Sequence, residues 1–482
     1  MNPRDESLCE LVPQLVEGKR SCVELVRTSL RRIEQRDDEV NGFVSVQPRR
    51  ALRRAEELQH LSPSEKRKRP LFGVPLAIKD NMCTEGVETT CASRMLEHFV
   101  PPYDATVVEA LNRAGAVIVG KTNLDEFAMG SSTEASYFGA TKNPRDHSRI
   151  AGGSSGGSAA VVSSGCVPAA LGSDTGGSIR QPCSHCGVVG LKPTYGRVSR
   201  YGLVAFASSL DQIGPVTLDV RDAGLLLSVI SIPDGRDSTC AGRAFRHDAG
   251  IYDGDIRGLK LGVPKEYFGD GLGDDVRSAV ERAVEELTRR GAEAVDVSLP
   301  HLQYAVAAYY IICTAEASSN LARYDGVKYG YRAPGAKDLG EMYRLTREQG
   351  FGAEVKRRIM LGTYVLSAGY YDAYYLKAAK VRTLIGRDFD DAFGLCDAVV
   401  SPVTPAPAFR LGEKSDDPLQ MYLTDIYTVS ANLAGIPALT VPCAPDGALP
   451  VGVQFMAPRW REELLLRLGF ALQTSAVSRT PQ

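Results

Sequence analysis

A segment rich in glycine and serine carries the residues best suited to nucleophilic chemistry. Residues 151–178 hold eight glycines and seven serines, interrupted by apolar blocks at 159–162 and 168–171. Those blocks distinguish the segment from a flexible linker and predict that it is buried. Glycine pairs beside single serines let a hydroxyl and several backbone N–H groups converge on one point. The segment therefore predicts an active-site loop with a nucleophilic serine.

Such a serine needs a base to remove its proton. A Ser-His-Asp triad would use a histidine, but none of the six histidines lies in a motif suited to hold a base. A lysine can act instead when burial lowers its pKa towards neutrality. Lys79 is the best candidate because it ends a short apolar run in the segment 73–81, which is typical of a buried strand. Lowering its pKa from about 10.4 to about 7 requires roughly 5 kcal/mol of unfavourable burial, a cost that points to function.

Three motifs in these segments resemble the amidase signature family. They are GGSSGGS at 152–158, GSDTGGSIRQP at 172–182 and GVPLAIKDN at 73–81. Members of that family use a Ser–cis-Ser–Lys triad. By position, the resemblance implies that Ser178 is the acylated nucleophile, Ser154 the bridging cis-serine and Lys79 the base. It also implies that neutral Lys79 withdraws a proton through Ser154 while Ser178 attacks a carboxamide carbon.

Backbone N–H groups of the same loop are the expected donors to the oxyanion that this attack creates. The expected donors are Thr175, Gly176, Gly177 and Ser178. One such donor is typically worth about 3–4 kcal/mol. The alternative is that these glycines and serines only form a tight structural turn. The sequence departs from the family pattern at 183–185, beyond the nucleophile, which leaves the triad unchanged.

The composition is that of an ordinary globular protein and gives no indication of electrostatic binding to nucleic acid. The 482 residues are 44% apolar and 24% charged, and the formal net charge is −2. A nearly balanced charge leaves no electrostatic footprint for a nucleic acid. The eleven cysteines lack disulfide spacing, and the sequence shows no signal peptide and no apolar run of membrane length. These observations predict a cytoplasmic protein with reduced thiols and no membrane association.

Strands that alternate with helices predict the fold class. Apolar periodicity predicts a strand–helix–strand unit over 259–299, a mostly helical stretch over 304–393 and further strands after it. The alternation predicts an α/β sheet. The family resemblance implies that this central β-sheet is mixed and covered by helices on both faces. Length alone would suggest two or three domains. The family resemblance implies instead one amidase domain over 1–482, with its signature core at about 65–215.

Four other features could indicate chemistry, and for each we favour a structural interpretation. Residues 115–122 match the phosphate-loop pattern, but their variable positions form an apolar strand and leave no cradle. The basic run 66–69 could bind RNA, although a solvated loop explains it better. Cys183 and Cys186 have metal-ligand spacing without a second pair, so we expect no metal. Tyrosines could stack bases, but core and helix packing better explains most of those at 309, 310, 370, 371, 374 and 375.

Substrate choice depends on residues outside the signature motifs. The stretches 309–320, 354–364 and 422–428 are similar to the A subunits of glutamyl-tRNA(Gln) amidotransferases. By position, this resemblance implies that Arg358 pairs with the α-carboxylate of glutamine, Asp425 with its α-amino group, and that Tyr309 forms a pocket wall. A zwitterionic amino acid needs one fixed cation and one fixed anion, which agrees with that pairing. The alternative for Arg358 is a surface charge on a helix.

The same resemblance implies an assembly and a cofactor outside this chain. The A subunits hydrolyse glutamine and supply ammonia to a B subunit, which activates Glu-tRNA(Gln) with ATP and magnesium, while a small C subunit clasps the pair. We therefore expect a heterotrimer and no cofactor in this chain. Two alternatives stay open: a free-standing amidase that hydrolyses a small carboxamide, and an inactive scaffold protein that keeps the fold.

Overall fold

Thirteen strands and sixteen α-helices form the part of the chain that the structure describes. The computed structural model describes residues 7–445 and 447–475. The strands are β1 (Phe43–Val46), β2 (Pro75–Lys79), β3 (Val117–Thr122), β4 (Lys142–Asn143), β5 (Asp146–Ile150), β6 (Ala169–Asp174), β7 (Val189–Lys192), β8 (Gln212–Thr217), β9 (Lys260–Pro264), β10 (Glu293–Val297), β11 (Ala398–Pro402), β12 (Ala438–Pro442) and β13 (Gly452–Met456). The helices are α1 (Leu8–Val16), α2 (Cys22–Val40), α3 (Pro48–Gln59), α4 (Pro63–Arg67), α5 (Thr106–Arg113), α6 (Gly156–Ser163), α7 (Arg180–Cys186), α8 (Val220–Ile230), α9 (Asp274–Arg289), α10 (Ala305–Asn320), α11 (Leu339–Gly350), α12 (Ala353–Leu366), α13 (Lys377–Ala392), α14 (Pro418–Tyr422), α15 (Val429–Ala434) and α16 (Glu462–Gln473).

Eleven of the strands form one mixed sheet. Their spatial order is β1-β3-β2-β6-β8-β7-β12-β13-β11-β9-β10. Strand β2 pairs in parallel with both β3 and β6, whereas β6 pairs antiparallel with β8. Strands β9 and β10 pair in parallel at the far edge. The predicted α/β fold with a mixed central sheet is therefore confirmed.

Helices cover the sheet on both faces, as strand β12 shows. Successive strand residues point to opposite faces. A Cβ on Gly469 of α16 would meet the side chain of Leu439, whereas a Cβ on Gly452 would meet Thr440 and Ser184 of α7. Leu439 and Thr440 are neighbours in β12, so α16 and α7 lie on opposite faces of the sheet.

The adjacent parallel strands β2 and β6 determine where the catalytic candidates meet. Their register pairs Leu76 with Ala169 and Ile78 with Leu171. Because parallel neighbours end at the same edge of a sheet, Lys79 at the end of β2 lies beside the turn that follows β6. That turn holds Thr175 to Ser178. Every residue of both strands is buried, which agrees with their apolar sequences.

The structure confirms some local predictions and corrects others. Residues 117–122, inside the phosphate-loop match, form strand β3, which confirms that they offer no phosphate cradle. The basic run 66–69 is not wholly a loop, because residues 63–67 form the short helix α4. Ser62 and Glu65 cap each other at its start, which stabilises a helix at this position.

The exposure of the paired tyrosines limits the prediction that core and helix packing explains most of them. Tyr309 is buried, but Tyr370, Tyr371 and Tyr374 are 40%, 45% and 40% exposed. The rings of Tyr370 and Tyr374 stack on each other at 5.9 Å and lie beside Tyr364. The core interpretation is therefore wrong for these three residues. Their helical spacing does not reveal this exposure, because residues on a buried and on an exposed helical face have the same spacing.

Neither a membrane span nor a metal cluster is found in the described ranges. Over residues 7–445 and 447–475, no helix combines the length and the apolar character needed to cross a bilayer. Over the same residues, no three His, Cys, Asp or Glu side chains are grouped to hold a metal ion. Cys183 and Cys186 lie buried in α7 as free thiols.

Candidate active site

Lys79 lies at the carboxyl end of β2 and contacts three serine hydroxyls. Its Nζ is 2.8 Å from Ser154 Oγ, 2.8 Å from Ser155 Oγ and 3.0 Å from Ser173 Oγ. Strand β6 contributes Ser173, and the loop before α6 contributes the other two serines. The side chain of Lys79 is completely buried. The sheet thus holds an amine in a dry environment among neutral oxygen atoms.

That environment explains the protonation behaviour of Lys79. Burial lowers its pKa to about 7, although the more distant charges of Asp125, Asp174 and Asp211 favour the charged form. The hydrogen-bond partners of the amine are hydroxyl and carbonyl oxygens, none of which is charged. A substantial fraction of Lys79 is therefore neutral at pH 7 and can accept a proton, which is what the sequence predicts for a base.

Ser154 and Ser178 lie in adjoining loops beside this amine. The peptide bond between Gly153 and Ser154 is cis. The backbone N–H of Ser155 donates to the carbonyl of Ser178 at 3.0 Å, which joins the two loops. Lys79 and Ser154 are 0% exposed, whereas Ser178 is 9% exposed. No hydrogen bond joins the hydroxyls of Ser154 and Ser178 within the described residues. The structure therefore places a proton acceptor behind the Ser178 hydroxyl, which is the more exposed of the two hydroxyls.

Two glycines allow this close packing of loops. A Cβ on Gly153 would lie 2.1 Å from Asp125 Oδ2. Gly177 has φ +142°, and a Cβ there would lie 2.3 Å from Thr428 Oγ1. Any larger residue at either position would push the loops apart. The glycine pairs that mark the sequence are thus required by contact as well as by backbone angle.

The turn after β6 presents several backbone N–H groups. Gly177 N donates to Asp174 Oδ1 at 2.9 Å, so in this structure its N–H is engaged. The N–H groups of Thr175, Gly176 and Ser178 have no hydrogen-bond partner within residues 7–445 and 447–475. Three of the four expected oxyanion donors are therefore free, and the fourth helps to fold the turn.

A buried ion pair fixes the shape of that turn. Besides Gly177 N, Asp174 accepts hydrogen bonds from Ile179 N at 3.1 Å and from Arg180 Nε and Nη2, each at 3.0 Å. Asp174 and Arg180 are both completely buried. Burial raises the pKa of Asp174, but the adjacent guanidinium outweighs this effect and holds the pKa below its usual range. Arg180 also donates to Thr428 O at 3.0 Å and Gln454 Oε1 at 2.5 Å.

We expect Asp174→Asn to destabilise the protein by about 3–5 kcal/mol, since it leaves the buried charge of Arg180 without its partner. Urea unfolding followed by circular dichroism measures the change. Asp255→Asn is the matched control, because its pair with Arg257 lies at the surface and contributes little. Equal stability of the two variants would contradict the structural role of the buried pair.

A cavity of about 280 Å³ opens next to the serine loops. Its lining includes Ser131, Ser132, Arg358 and Tyr422. The loop that carries these serines packs against the active site, because a Cβ on Gly153 would lie 2.7 Å from Ser132 N. Its volume suits a small substrate, and Ser131, Ser132 and Arg358 add polar groups to a largely apolar lining.

Arg358 presents two Nη groups, unpartnered within the described residues, to this cavity. It is 3% exposed, and its Nε donates to Glu354 Oε1 at 2.8 Å. Its guanidinium carbon lies 5.3 Å from the ring centre of Tyr310 and 5.4 Å from that of Tyr422. Neither Nη group has a hydrogen-bond partner in the described part of the chain. The alternative of a solvated surface charge is therefore wrong for this arginine.

Asp425 presents a free anion. Its Oδ2 accepts a hydrogen bond of 2.5 Å from Ser131 Oγ, while its buried Oδ1 has no partner among the described residues. Burial raises the pKa of Asp425 to about 7, although Ser131 and the charge of Arg358 lower it. An unpartnered buried carboxylate oxygen is uncommon in a native structure and suits a ligand that brings a cation.

Tyr309 links this cavity to the nucleophile turn. A Cβ on Gly176 would lie 2.5 Å from the ring of Tyr309, so the ring packs directly on the turn. Tyr309 is 4% exposed, and its ring meets that of Tyr310 edge to face at 5.0 Å. Arg358 lines the cavity, and Asp425 is bonded to Ser131 in the cavity lining. Tyr309 packs between the nucleophile turn and Tyr310, which contacts Arg358.

Sequence reasoning missed several residues that the structure adds to the site. Ser155 and Ser173 contact the amine of Lys79 directly, and Ser131 holds Asp425. Both Ser155 and Ser173 lie inside the glycine-rich motifs, so their position next to candidate residues could have predicted that they belong to the site. Ser131 lies about 300 residues before Asp425, and no local pattern links the two.

Comparison with known proteins agrees with the geometry. A family model described as Amidase matches residues 24–466. The A subunit of glutamyl-tRNA(Gln) amidotransferase from Syntrophobacter fumaroxidans is 56% identical over 474 residues, covering 98% of this chain and 97% of the relative. The protein of the same name from Koribacter versatilis is 55% identical over 459 residues and covers 95% of each chain.

Solved structures give the same result. The crystal structure of the A subunit of glutamyl-tRNA(Gln) amidotransferase from Thermotoga maritima is 45% identical, with a TM-score of 0.83 over 100% of this chain and 98% of that one. Peptide amidase from Stenotrophomonas maltophilia is 30% identical, with a TM-score of 0.83 over 100% and 98% of the two chains. The chain therefore belongs to the amidase family, in the group of the glutamyl-tRNA(Gln) amidotransferase A subunits.

Proposed function

We propose that this chain is the glutamine-hydrolysing subunit of a glutamyl-tRNA(Gln) amidotransferase, one amidase unit over 1–482 with its signature core at about 65–215. The observation that carries the proposal is the buried amine of Lys79, 2.8 Å from Ser154 Oγ and adjacent to the loop of Ser178. A neutral amine in hydrogen-bond contact with a hydroxyl is the arrangement that a Ser–Ser–Lys proton relay needs.

The relay converts glutamine to glutamate and ammonia in two steps. Neutral Lys79 accepts the proton of Ser154, which accepts the proton of Ser178 as Ser178 Oγ attacks the side-chain carboxamide carbon. The carbon–nitrogen bond then breaks, the proton returns through the relay to the leaving nitrogen, and ammonia departs. Water attacks the resulting ester by the same relay, releasing glutamate and restoring Ser178. The free N–H groups of Thr175 and Gly176, together with that of Ser178, stabilise the oxyanion in both steps.

Charge complementarity supports glutamine as the substrate. The free Nη groups of Arg358 match an α-carboxylate in a two-pronged contact. The free Oδ1 of Asp425 matches an α-ammonium group. Tyr309, packed on Gly176, forms the wall between these charges and the nucleophile turn. A simple carboxamide without the two charges would leave both buried groups unpaired, which disfavours the alternative of a free-standing amidase.

The proposal places the chain in a heterotrimer in the cytoplasm. Its relatives carry the name of the A subunit of an amidotransferase, and we assign to this chain the supply of ammonia to a partner subunit. We assign use of ATP and magnesium to the B subunit, together with activation of Glu-tRNA(Gln), and clasping of the pair to the C subunit. This chain provides the nucleophile, the relay and the glutamine pocket.

An isotope-transfer experiment tests this function. The chain is co-expressed with candidate B and C subunits and supplied with ATP, magnesium and glutamine labelled at its side-chain amide nitrogen. We expect the three chains to co-purify and the label to enter Gln-tRNA(Gln) only when Glu-tRNA(Gln) is present. Hydrolysis of glutamine without transfer of the label, in a chain that purifies alone, would support the free-standing amidase instead.

Asp425→Asn provides the substrate control for this experiment. The variant keeps the hydrogen bond to Ser131 but loses the negative charge, so we expect the KM for glutamine to rise by roughly tenfold or more. Trapping of Ser178 by a serine-directed covalent reagent should be unaffected. Absence of trapping in the parent chain would support the inactive scaffold and contradict the proposed function.

A further inference from the structure

Glu354 bonds to three polar side chains at the cationic end of the pocket. It lies in the first turn of α12, one turn before Arg358. Its Oε1 accepts hydrogen bonds from Arg358 Nε at 2.8 Å and from the Tyr422 hydroxyl at 2.9 Å. Its Oε2 accepts from Arg357 Nη1. Only 16% of its side chain is exposed, so water screens these contacts weakly.

The contact at Nε determines where the guanidinium of Arg358 points. A guanidinium is planar, so a hydrogen bond at Nε fixes the plane and thereby the direction of the two Nη groups. The rings of Tyr310 and Tyr422, stacked at 3.9 Å, limit the remaining freedom of the group. With Nε occupied by Glu354, the Nη groups are the donors left for a carboxylate.

Because of Arg357, the negative charge of Glu354 does not neutralise the positive charge that attracts the substrate carboxylate. A single carboxylate beside Arg358 alone would leave a neutral pair with little attraction for an anion. Glu354 instead shares its charge between Arg357 and Arg358, so the three side chains carry one net positive charge. The cluster therefore holds Arg358 in place and still attracts an anion.

We propose that Glu354 is a positioning residue that, through Arg358, makes the enzyme selective for substrates with an α-carboxylate. This inference rests on the proposed glutaminase function and assigns its substrate selectivity to a residue outside the relay. Glu354 also lines the cavity, but both of its carboxylate oxygens already accept hydrogen bonds from protein side chains, so we assign its action to Arg358 and not to direct contact with the substrate. The contrasting interpretation is that Glu354 and Arg358, four residues apart, form a helix-stabilising ion pair and nothing more.

Substrate preference separates the two interpretations. The assembled complex is assayed with glutamine and with γ-aminobutyramide, which is glutamine without its α-carboxylate. We expect Glu354→Gln to lower kcat/KM for glutamine by roughly 10- to 100-fold through KM, because a charged hydrogen bond to the guanidinium is lost. We expect kcat for glutamine and kcat/KM for γ-aminobutyramide to stay near the parent values. The preference for glutamine therefore falls by the same factor.

Two further variants complete the test. Tyr422→Phe removes one hydrogen bond to Glu354 without changing any charge, and it should lower the preference in the same direction by a smaller factor. Glu348→Gln is the matched control, since its pair with Arg344 is exposed on α11 and away from the pocket. We expect its preference to equal that of the parent.

The outcomes distinguish failure of this inference from failure of the proposed function. An unchanged preference in Glu354→Gln, or an equal loss with both substrates, would overturn the positioning role. If Glu354→Gln does not fold, an unchanged preference in Tyr422→Phe overturns it in the same way. A parent complex that hydrolyses γ-aminobutyramide but not glutamine would overturn the glutaminase function itself.

Discussion

Ser178→Ala is expected to abolish glutamine hydrolysis, with a loss of about five to six orders of magnitude in kcat. Loss of the nucleophile in a serine hydrolase has an effect of this size, because the remaining donors cannot form the covalent intermediate. Ammonia release in the assembled complex is the measurement. The turn should keep its shape, since Asp174 and Arg180 hold it through groups other than the Ser178 hydroxyl.

Ser228→Ala is the control for this prediction. Its hydroxyl donates to Leu225 O within α8, away from the site, so activity should be unchanged. A second readout keeps hydrolysis and transfer separate: with ammonium salt as nitrogen donor, the Ser178→Ala complex should still form Gln-tRNA(Gln). If Ser178→Ala keeps most of its glutaminase activity, the nucleophile has been assigned to the wrong residue.

Lys79→Met is expected to have the second largest effect, a loss of about two to four orders of magnitude in kcat. General base catalysis typically contributes that much. Methionine matches the length of the stem but accepts no proton. Folding should persist, because the amine makes no ion pair whose partner would be left charged and buried. Lys121→Met is the informative contrast, since Lys121 lies 3.3 Å from Asp80 and its removal leaves that buried carboxylate unpaired. It should lower stability more than Lys79→Met does.

The pH profile of the parent enzyme follows from two groups with a pKa of about 7. Lys79 acts only when neutral, which holds above its pKa, and Asp425 binds an ammonium group only when ionised, which also holds above its pKa. Activity therefore falls as pH drops through 7. Both groups titrate in the free enzyme, so kcat/KM should fall with a limiting slope near two, while kcat should fall with a slope near one. A kcat that is independent of pH between 6 and 8 would contradict a lysine base.

How much the sequence predicts depends on whether the relevant contacts are local. Lys79, Ser154 and Ser178 lie in motifs whose glycines and apolar flanks predict buried, closely packed loops, and the structure contains such loops. The strand–helix–strand unit at 260–297 follows from periodicity, whereas the mixed character of the sheet is implied by the family resemblance. The hydroxyls of Ser155 and Ser173 contact the amine of Lys79 only because β2 and β6 are neighbours in the sheet. No local sequence pattern predicts that pairing of strands. Tyr370 illustrates what sequence periodicity cannot predict, because the spacing of residues on a helical face does not indicate whether another element covers that face.

The supports of the catalytic turn have a consequence for how the protein is made. Arg180 is held by Thr428 O and Gln454, and Asp174 by Asn432, so the turn depends on chain about 250 to 275 residues downstream. A nascent chain lacks the complete set of those partners until translation has passed Gln454. We therefore expect that a chain that ends before Gln454 has an unsupported turn and does not hydrolyse glutamine.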